Sequence, residues 1–319
     1  MPTTSRFQRG RIMVVAFEGW NDAGEAATNA VRMVRDALTV VPVLEMDPEL
    51  YIDYQFNRPT VGADEHGERG LTWPGATMYG PARRSRARGV AAESAPIARE
   101  HRIDRSNLFV LLGTEPSRTW KGFVAEIIDA ALVADVEGIV MLGAMLADVP
   151  HTRPISTFAT SEDAEVRSEL DLERSTYEGP IGILSVLSDA AARVGIPSVS
   201  LWASVPHYVH NAPSPKATLA LIEKLEGVLG VQVPRGELDE EASTWESGIN
   251  ALAEEDEDMA AYIEQLEKAR DTVDSPEASG EAIAQEFERY LRRGEGPGNR
   301  GDGGPGTRGD DSPPWRPQG

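Results

Sequence analysis

The sequence predicts an α/β fold with a mostly parallel central sheet covered on both faces, and three observations predict it. Four short stretches are almost wholly apolar, as strands buried on both faces must be. The segments between them place apolar residues three and four apart, as amphipathic helices do. The two patterns alternate through residues 11–236, which is the order that strand–helix–strand crossovers produce. A chain of 319 residues with 40% hydrophobic content can bury a core of that kind.

The first strand is Ile12-Met13-Val14-Val15-Ala16-Phe17. It ends at Gly19-Trp20-Asn21-Asp22-Ala23-Gly24, after which Ala27, Val31, Val34 and Leu38 recur at helical spacing. Asn21 or Asp22 is available to cap that helix. Tyr51–Phe56 and Leu71–Trp73 flank a Gly/Asp/Glu-rich turn around 64–70, which predicts a β-hairpin inserted in the α/β body. Arg83, Arg84, Arg86 and Arg88 follow, read first as a solvated loop and second as an anion or partner site. Leu108–Leu112, Gly138–Leu142 and Ser198–Ala203 are the further strands. Phe123/Ile127/Ala131/Ala134 and Leu184/Leu187/Ala191/Val194 mark the helices between them.

After Pro234 the pattern becomes helical. Ile249, Leu252, Met259, Ile263 and Leu266 fall near a seven-residue period that Asp256 interrupts. That predicts a C-terminal helical hairpin with an apolar seam and its acids outside. Ile283, Phe287, Tyr290 and Leu291 mark a last short helix. From Gly294 onward 9 of 26 residues are glycine and 5 are proline, so the tail is expected to be disordered. The organisation read from this is an α/β body at 1–236, an acidic helical appendage at 237–293 and a Gly/Pro-rich tail at 294–319.

Charge follows the same division. The chain carries 31 basic and 52 acidic residues, a net of −21, and 18 acidic against 5 basic side chains lie in 237–293. Residues 1–236 carry 30 acidic and 23 basic, a net of only −7. Nucleic acid is therefore not an expected partner, firmly so for the appendage and less firmly for the body. Cysteine is absent, which excludes disulfides, thiolate catalysis and cysteine metal sites. Five histidines are too few for a histidine-rich metal cluster, and no metal or cofactor is predicted. The longest apolar run, Gly138 to Ala147, is half a membrane span, and Ile12–Phe17 is too short for a signal segment. The expected location is the cytoplasm, with no membrane contact.

Parallel α/β sheets bind ligands beyond the C-terminal ends of their strands. Four loops should converge there: Gly19–Gly24, Gly113–Trp120, Ala147–Pro154 and Trp202–Tyr208, with Tyr177–Gly182 opening a helix nearby. They supply Asp22, Glu115, Arg118, Asp148, His151, Arg153, Glu178 and His207, a set suited to acid–base work or anion binding. Each also has a plain structural reading. Asn21 and Asp22 serve as helix caps. His151 is a loop histidine held by its neighbours, or a base whose tautomer Asp148 or Glu178 would fix. His207 and His210 flank Tyr208 and would need a third ligand to hold a metal. Trp20, Trp120 and Trp202 are core lids or stacking platforms. No Gly-x-x-x-x-Gly-Lys-Ser/Thr, Gly-x-Gly-x-x-Gly or Gly-x-Ser-x-Gly spacing occurs, so neither nucleotide binding nor a hydrolase triad is supported.

Five ordered segments carry a family resemblance. They are Ala16–Gly24, Gly113-Thr114-Glu115-Pro116 with Trp120, Leu146–Pro154, Tyr177–Gly182, and Trp202–Val209. Through them residues 11–235 resemble bacterial members of the proteasome assembly chaperone 2 family, and the acidic C-terminal segment resembles its actinobacterial branch. The resemblance implies a phosphorylase/hydrolase-like α/β sandwich, self-association with trimers favoured, and a protein-binding role without an established reaction. Eukaryotic relatives help assemble the proteasome α-ring. Some archaeal relatives engage the core particle through a C-terminal hydrophobic-Tyr-any-residue signature. This chain ends Trp315-Arg316-Pro317-Gln318-Gly319 and lacks it, so docking through the tail is not expected. The first-ranked reading is thus a self-associating protein-binding or assembly-chaperone module, leaning away from an enzyme. A nucleoside- or phosphate-type small-molecule protein using the strand ends ranks second, and a structural scaffold third.

Overall fold

The computed structural model describes residues 5–63, 67–82, 107–172, 174–175 and 177–274. The arginine group at 83–88, the short helix expected at 283–291 and the tail from Gly294 lie outside the described residues. In chain order the elements are β1 (Ile12–Glu18), α1 (Ala26–Ala37), β2 (Val40–Glu45), α2 (Pro48–Tyr51), β3 (Thr60–Ala63), β4 (Arg69–Thr72) and β5 (Ala76–Pro81). Then come β6 (Leu108–Thr114), α3 (Trp120–Val133), β7 (Gly138–Ala147), β8 (Thr157–Thr160), α4 (Ala164–Leu170) and α5 (Ile183–Arg193). The last are β9 (Ser198–Pro206), α6 (Pro215–Leu229), α7 (Leu238–Glu255) and α8 (Glu257–Asp274). The described residues up to Arg270 form one compact unit; a second begins at Asp271, with the end of α8 as its described part.

The fold is the expected α/β type. A seven-stranded sheet runs in the order β2-β5-β6-β1-β7-β9-β8. Its four central strands are parallel, while β5 pairs antiparallel to β6 and β8 antiparallel to β9. The four apolar runs of the sequence are the four parallel strands. Successive side chains of β1 enter opposite cores: Ile12, Val14 and Ala16 one, Met13, Val15 and Phe17 the other. The first core is closed by α1 and α6, with Ala27, Val31, Val34 and Leu38 facing inward as their spacing predicts. The second is closed by α3 and α5 through Phe123, Ile127, Ala131, Leu184, Leu187 and Ala191.

Three differences from the sequence reading have local causes. Tyr51–Phe56 is not a strand. Asp47 accepts the Glu49 N–H at 3.0 Å ahead of Pro48 and starts α2, and Asp53 turns the chain back by accepting from Gln55 N at 2.9 Å. The inserted hairpin exists, but as β3 paired with β4, so its first strand lies later in the chain. β2, β5 and β8 lack the uniform burial of the parallel strands: β2 and β8 are the edges of the sheet, and β5, inside it, alternates buried with half-buried positions. Asp256 falls in the predicted seam because it ends α7 and caps α8, accepting from Asp258 N and Met259 N at 3.0 Å each.

The close pairing of β7 with β9 depends on Gly143, which lies opposite Trp202. A Cβ at that position would overlap the indole of Trp202. Gly143→Ala is therefore expected to lower unfolding free energy by about 1–3 kcal/mol, measured by urea denaturation, and a neutral result would contradict the packing described.

Candidate functional site

The strand-end loops converge as expected, but into two groups rather than one pocket. The chain leaves β1 toward β6 and leaves β7 toward β9, so the direction of winding reverses between β1 and β7. At such a switch point doubly wound sheets usually open a ligand crevice. Here it is closed. Asn21 O accepts the Ala144 N–H at 2.8 Å, and Asp22 forms a parallel bridge with Ala144.

The first group surrounds the ends of β1 and β6. Asp22 is buried and caps α1, its Oδ1 accepting from Ala27 N at 2.8 Å and Thr28 N at 3.1 Å, its Oδ2 from the Thr28 hydroxyl. Burial pushes its carboxyl above the usual range, and the hydrogen bonds from Thr28 and Ala27 work against that. Asn21 is buried too; its Nδ2 has no hydrogen-bond partner among the described residues and lies against Gly182, where a Cβ would overlap it. Glu115 ties three segments together. Its Oε1 accepts from Ile183 N at 2.9 Å at the start of α5, its Oε2 from Trp20 N at 3.2 Å, and its own N–H bonds Glu18 O at 2.9 Å.

The other members of this group hold loops or face solvent. Arg118 donates to Glu49 O at 2.9 Å and Ile52 O at 3.0 Å, which closes the end of α2. Trp120 Nε1 donates to Pro116 O at 2.6 Å, and its ring packs on the second core. Trp20 and Glu178 are exposed. A cavity of about 650 Å³ lies between these strand ends and the β3–β4 ribbon. Its charged lining is Glu18, Glu115 and Arg58. Glu18 is already engaged by Arg32 and by the Thr114 hydroxyl, so the cavity offers an anion one arginine.

The second group lies at the ends of β7 and β9, beneath α7 and α8. His151 is fully buried. Its backbone N–H donates to the Tyr208 hydroxyl at 2.8 Å, and the same hydroxyl lies within hydrogen-bond reach of Nδ1 at 2.9 Å. The Nε2–H then donates to Asn250 Oδ1 of α7 at 3.0 Å. Both ring nitrogens are thereby occupied, and burial favours the neutral imidazole. Burial holds its pKa below the ordinary value and Lys216 adds to this, against Asn250, Glu246 and Glu267. Burial likewise pushes Tyr208 up to about 12. Trp245 packs edge-on against the same ring.

Its neighbours fasten the same helices. Lys216 bridges His151 O at 2.6 Å and Glu246 of α7. Thr152 and Arg153 both reach Glu267 of α8, Arg153 at 3.3 Å. Asp148 accepts from the Tyr262 hydroxyl at 3.4 Å and stands 3.2 Å from His207 Nδ1, out of hydrogen-bond alignment. Trp202 is not at a strand end; it stacks on Phe158 across the sheet. Sequence reasoning missed Lys216, Trp245, Glu246, Asn250, Tyr262 and Glu267, which lie on helices where no local pattern marks them. One signal was available: polar Asn250 sits directly beside buried Ile249.

Among the described residues no group of three or more His, Asp or Glu side chains could hold a metal, and no helix is long and apolar enough to cross a membrane. The PAC2 family model matches residues 16–253, a range that contains every site residue expected from the sequence. The chain belongs to the PAC2 family. A PAC2 family protein from Streptomyces avermitilis is 39% identical over 79% of this chain and 99% of its own, with a TM-score of 0.66. A proteasome-assembly chaperone homologue from Mycobacterium tuberculosis is 36% identical over the same shares, with a TM-score of 0.64. PbaA of Pyrococcus furiosus, described as an archaeal homologue of proteasome-assembly chaperone, shares the fold at 18% identity and a TM-score of 0.51, covering 82% of this chain and 96% of its own. No curated protein matches the chain. The PAC2 assignment agrees with the five sequence segments that suggested it.

Two predictions test these roles. A histidine kept neutral by burial binds fewer protons folded than unfolded, so it weakens the fold as pH falls below its unfolded value of about 6.5. His151→Gln should flatten the fall in stability between about pH 7.5 and 5.5 relative to wild type, measured by urea titration at each pH. Parallel curves would contradict the neutral assignment. Glu115→Ala, which strands two backbone N–H groups, should cost about 1–3 kcal/mol, whereas exposed Glu178→Ala should cost almost nothing in the same assay.

Proposed function

We propose that this PAC2 protein is a proteasome-assembly-chaperone-like module that works by binding protein, in the cytoplasm, as a self-associated trimer. One observation carries the reading. The titratable groups at the strand ends are engaged with one another or with backbone, while large apolar side chains around them remain exposed. His151 has both ring nitrogens bonded, Glu115 and Asp22 cap helices, and Arg118 and Arg153 hold neighbouring segments. Trp20, by contrast, is 75% exposed and Phe56 82% exposed. Catalysis needs polar groups aimed at a reacting atom, whereas exposed aromatic patches bordered by polar groups are how protein-binding surfaces are built. The 36% identity to a proteasome-assembly chaperone homologue supports the same choice. In this reading α7 and α8 cover the ends of β7 and β9 and keep them from forming a ligand site.

Two measurements test the proposal. Light scattering coupled to gel filtration should give the mass of three copies, and a stable monomer at tens of micromolar would refute self-association. Purified proteasome core-particle subunits mixed with the tagged protein should be retained on the tag's resin. No retention of any subunit would refute the chaperone reading.

A further inference from the structure

The β3–β4 ribbon is a two-stranded sheet outside the main one, and every one of its strand positions is exposed. Such a ribbon has marginal stability in water unless something packs against it. Its two faces differ. Thr60 and Thr72 pair across the strands and line the cavity at the end of β1 and β6. Val61 and Leu71 form the next cross-strand pair, so they point to the opposite face, 55% and 61% exposed. The ribbon thus turns Thr60 and Thr72 toward its own protomer and Val61 and Leu71 away from it, with the Ala63–Arg69 pair beyond them on the outward face.

A second, unlike apolar patch lies across the cavity. Trp20 follows Gly19, which lines the cavity, and Glu115 holds the N–H groups of both Trp20 and Ile183. Ile181 is 52% exposed and Tyr177 65% exposed in the segment leading into α5, where the Tyr177 hydroxyl donates to Pro180 O at 3.0 Å and braces the turn. Arm and platform together leave on the order of 600 Å² of Val61, Leu71, Trp20, Tyr177 and Ile181 in water. Interfaces are about 57% apolar, so this amount corresponds to about 1,100 Å² in all, just above the roughly 1,000 Å² that a specific interface should clear.

We infer that the β3–β4 ribbon is an arm whose Val61–Leu71 face seats on the Trp20–Tyr177–Ile181 platform of a second copy of this chain. The inference rests on the self-association proposed above and names its surfaces. Two different patches on one chain make a head-to-tail contact, which closes into a ring when the rotation allows. A trimer is one such ring. The same contact supplies the packing that the ribbon lacks within its own protomer.

Arm and platform are tested separately and then together. Val61→Ser/Leu71→Ser removes the arm face, and Trp20→Ser/Ile181→Ser removes the platform; all four side chains are exposed, so circular dichroism should show the wild-type fold. Each variant alone should be monomeric where wild type is assembled, its assembly weakened roughly tenfold or more. Mixing the two restores one intact contact, because the good arm of one copy meets the good platform of the other, and should give a dimer and nothing larger. Backbone amides of 60–63 and 69–72 should exchange more slowly in the wild-type assembly than in either variant. If wild type assembles and both variants assemble equally well, the inference fails and self-association stands. If both are monomeric and mixing restores nothing, the arm does not seat on the platform. A wild-type protein that is monomeric at every concentration overturns the inference and the self-association beneath it. Loss of proteasome-subunit retention by monomeric variants of such a protein would assign the surface to that partner instead.

Discussion

β1 has no face or edge left for water. Its apolar residues alternate into two cores, and both of its edges are paired in parallel, to β6 and to β7. A parallel strand so placed must return to the far end of the sheet before its neighbour can begin, and each return puts a helix on one face. α1 and α6 on one side and α3 and α5 on the other follow from that requirement. So does the gathering of the loops after β1, β6, β7 and β9 at one end of the sheet.

Gathering polar loops at the edge of a tight core creates a second constraint. Groups taken out of water there must be paired, or they cost the fold what the core contributes. Asp22 caps α1, Glu115 joins the β1 loop to α5, and His151 closes a circuit with Tyr208 and Asn250. The crevice that the sheet topology would leave between β1 and β7 is stitched shut at Asp22 and Ala144. A fold that commonly houses reactions is used here with its customary site filled. Trp20, Phe56, Val61, Leu71, Tyr177 and Ile181 are among the large apolar side chains it leaves exposed.

Much of the fold was legible because the decisive pattern is local. A strand buried on both faces must be apolar at consecutive positions, and a helix on a sheet must be apolar at 3.6-residue spacing; neither pattern needs a distant residue to be seen. β2 and β8 escaped because they are half-buried edges, and β5 because only alternate positions of it are fully buried. Tyr51–Phe56 misled because its alternating aromatics fit a strand, while Asp47-Pro48 and Asp53 favoured a short helix and a turn through local hydrogen bonds. Asp256 was visible as an interruption, and its role as a cap follows from the side chain that does the interrupting.

The candidate residues divide along the same line. By itself the sequence determined the strand–helix order, the two-faced burial of the parallel strands, the segments that resemble the PAC2 family, and the presence of polar and aromatic groups at the strand ends. Only the tertiary structure decided what those groups do. Whether His151 is a base or a buried neutral ring depends on Asn250 and Tyr208, residues 99 and 57 positions away. Whether Trp202 is a lid or a platform depends on Gly143 and Phe158. The physical reason is that periodicity and propensity are properties of neighbouring residues. Burial and hydrogen-bond partnership belong to groups that only folding brings within 3 Å of one another.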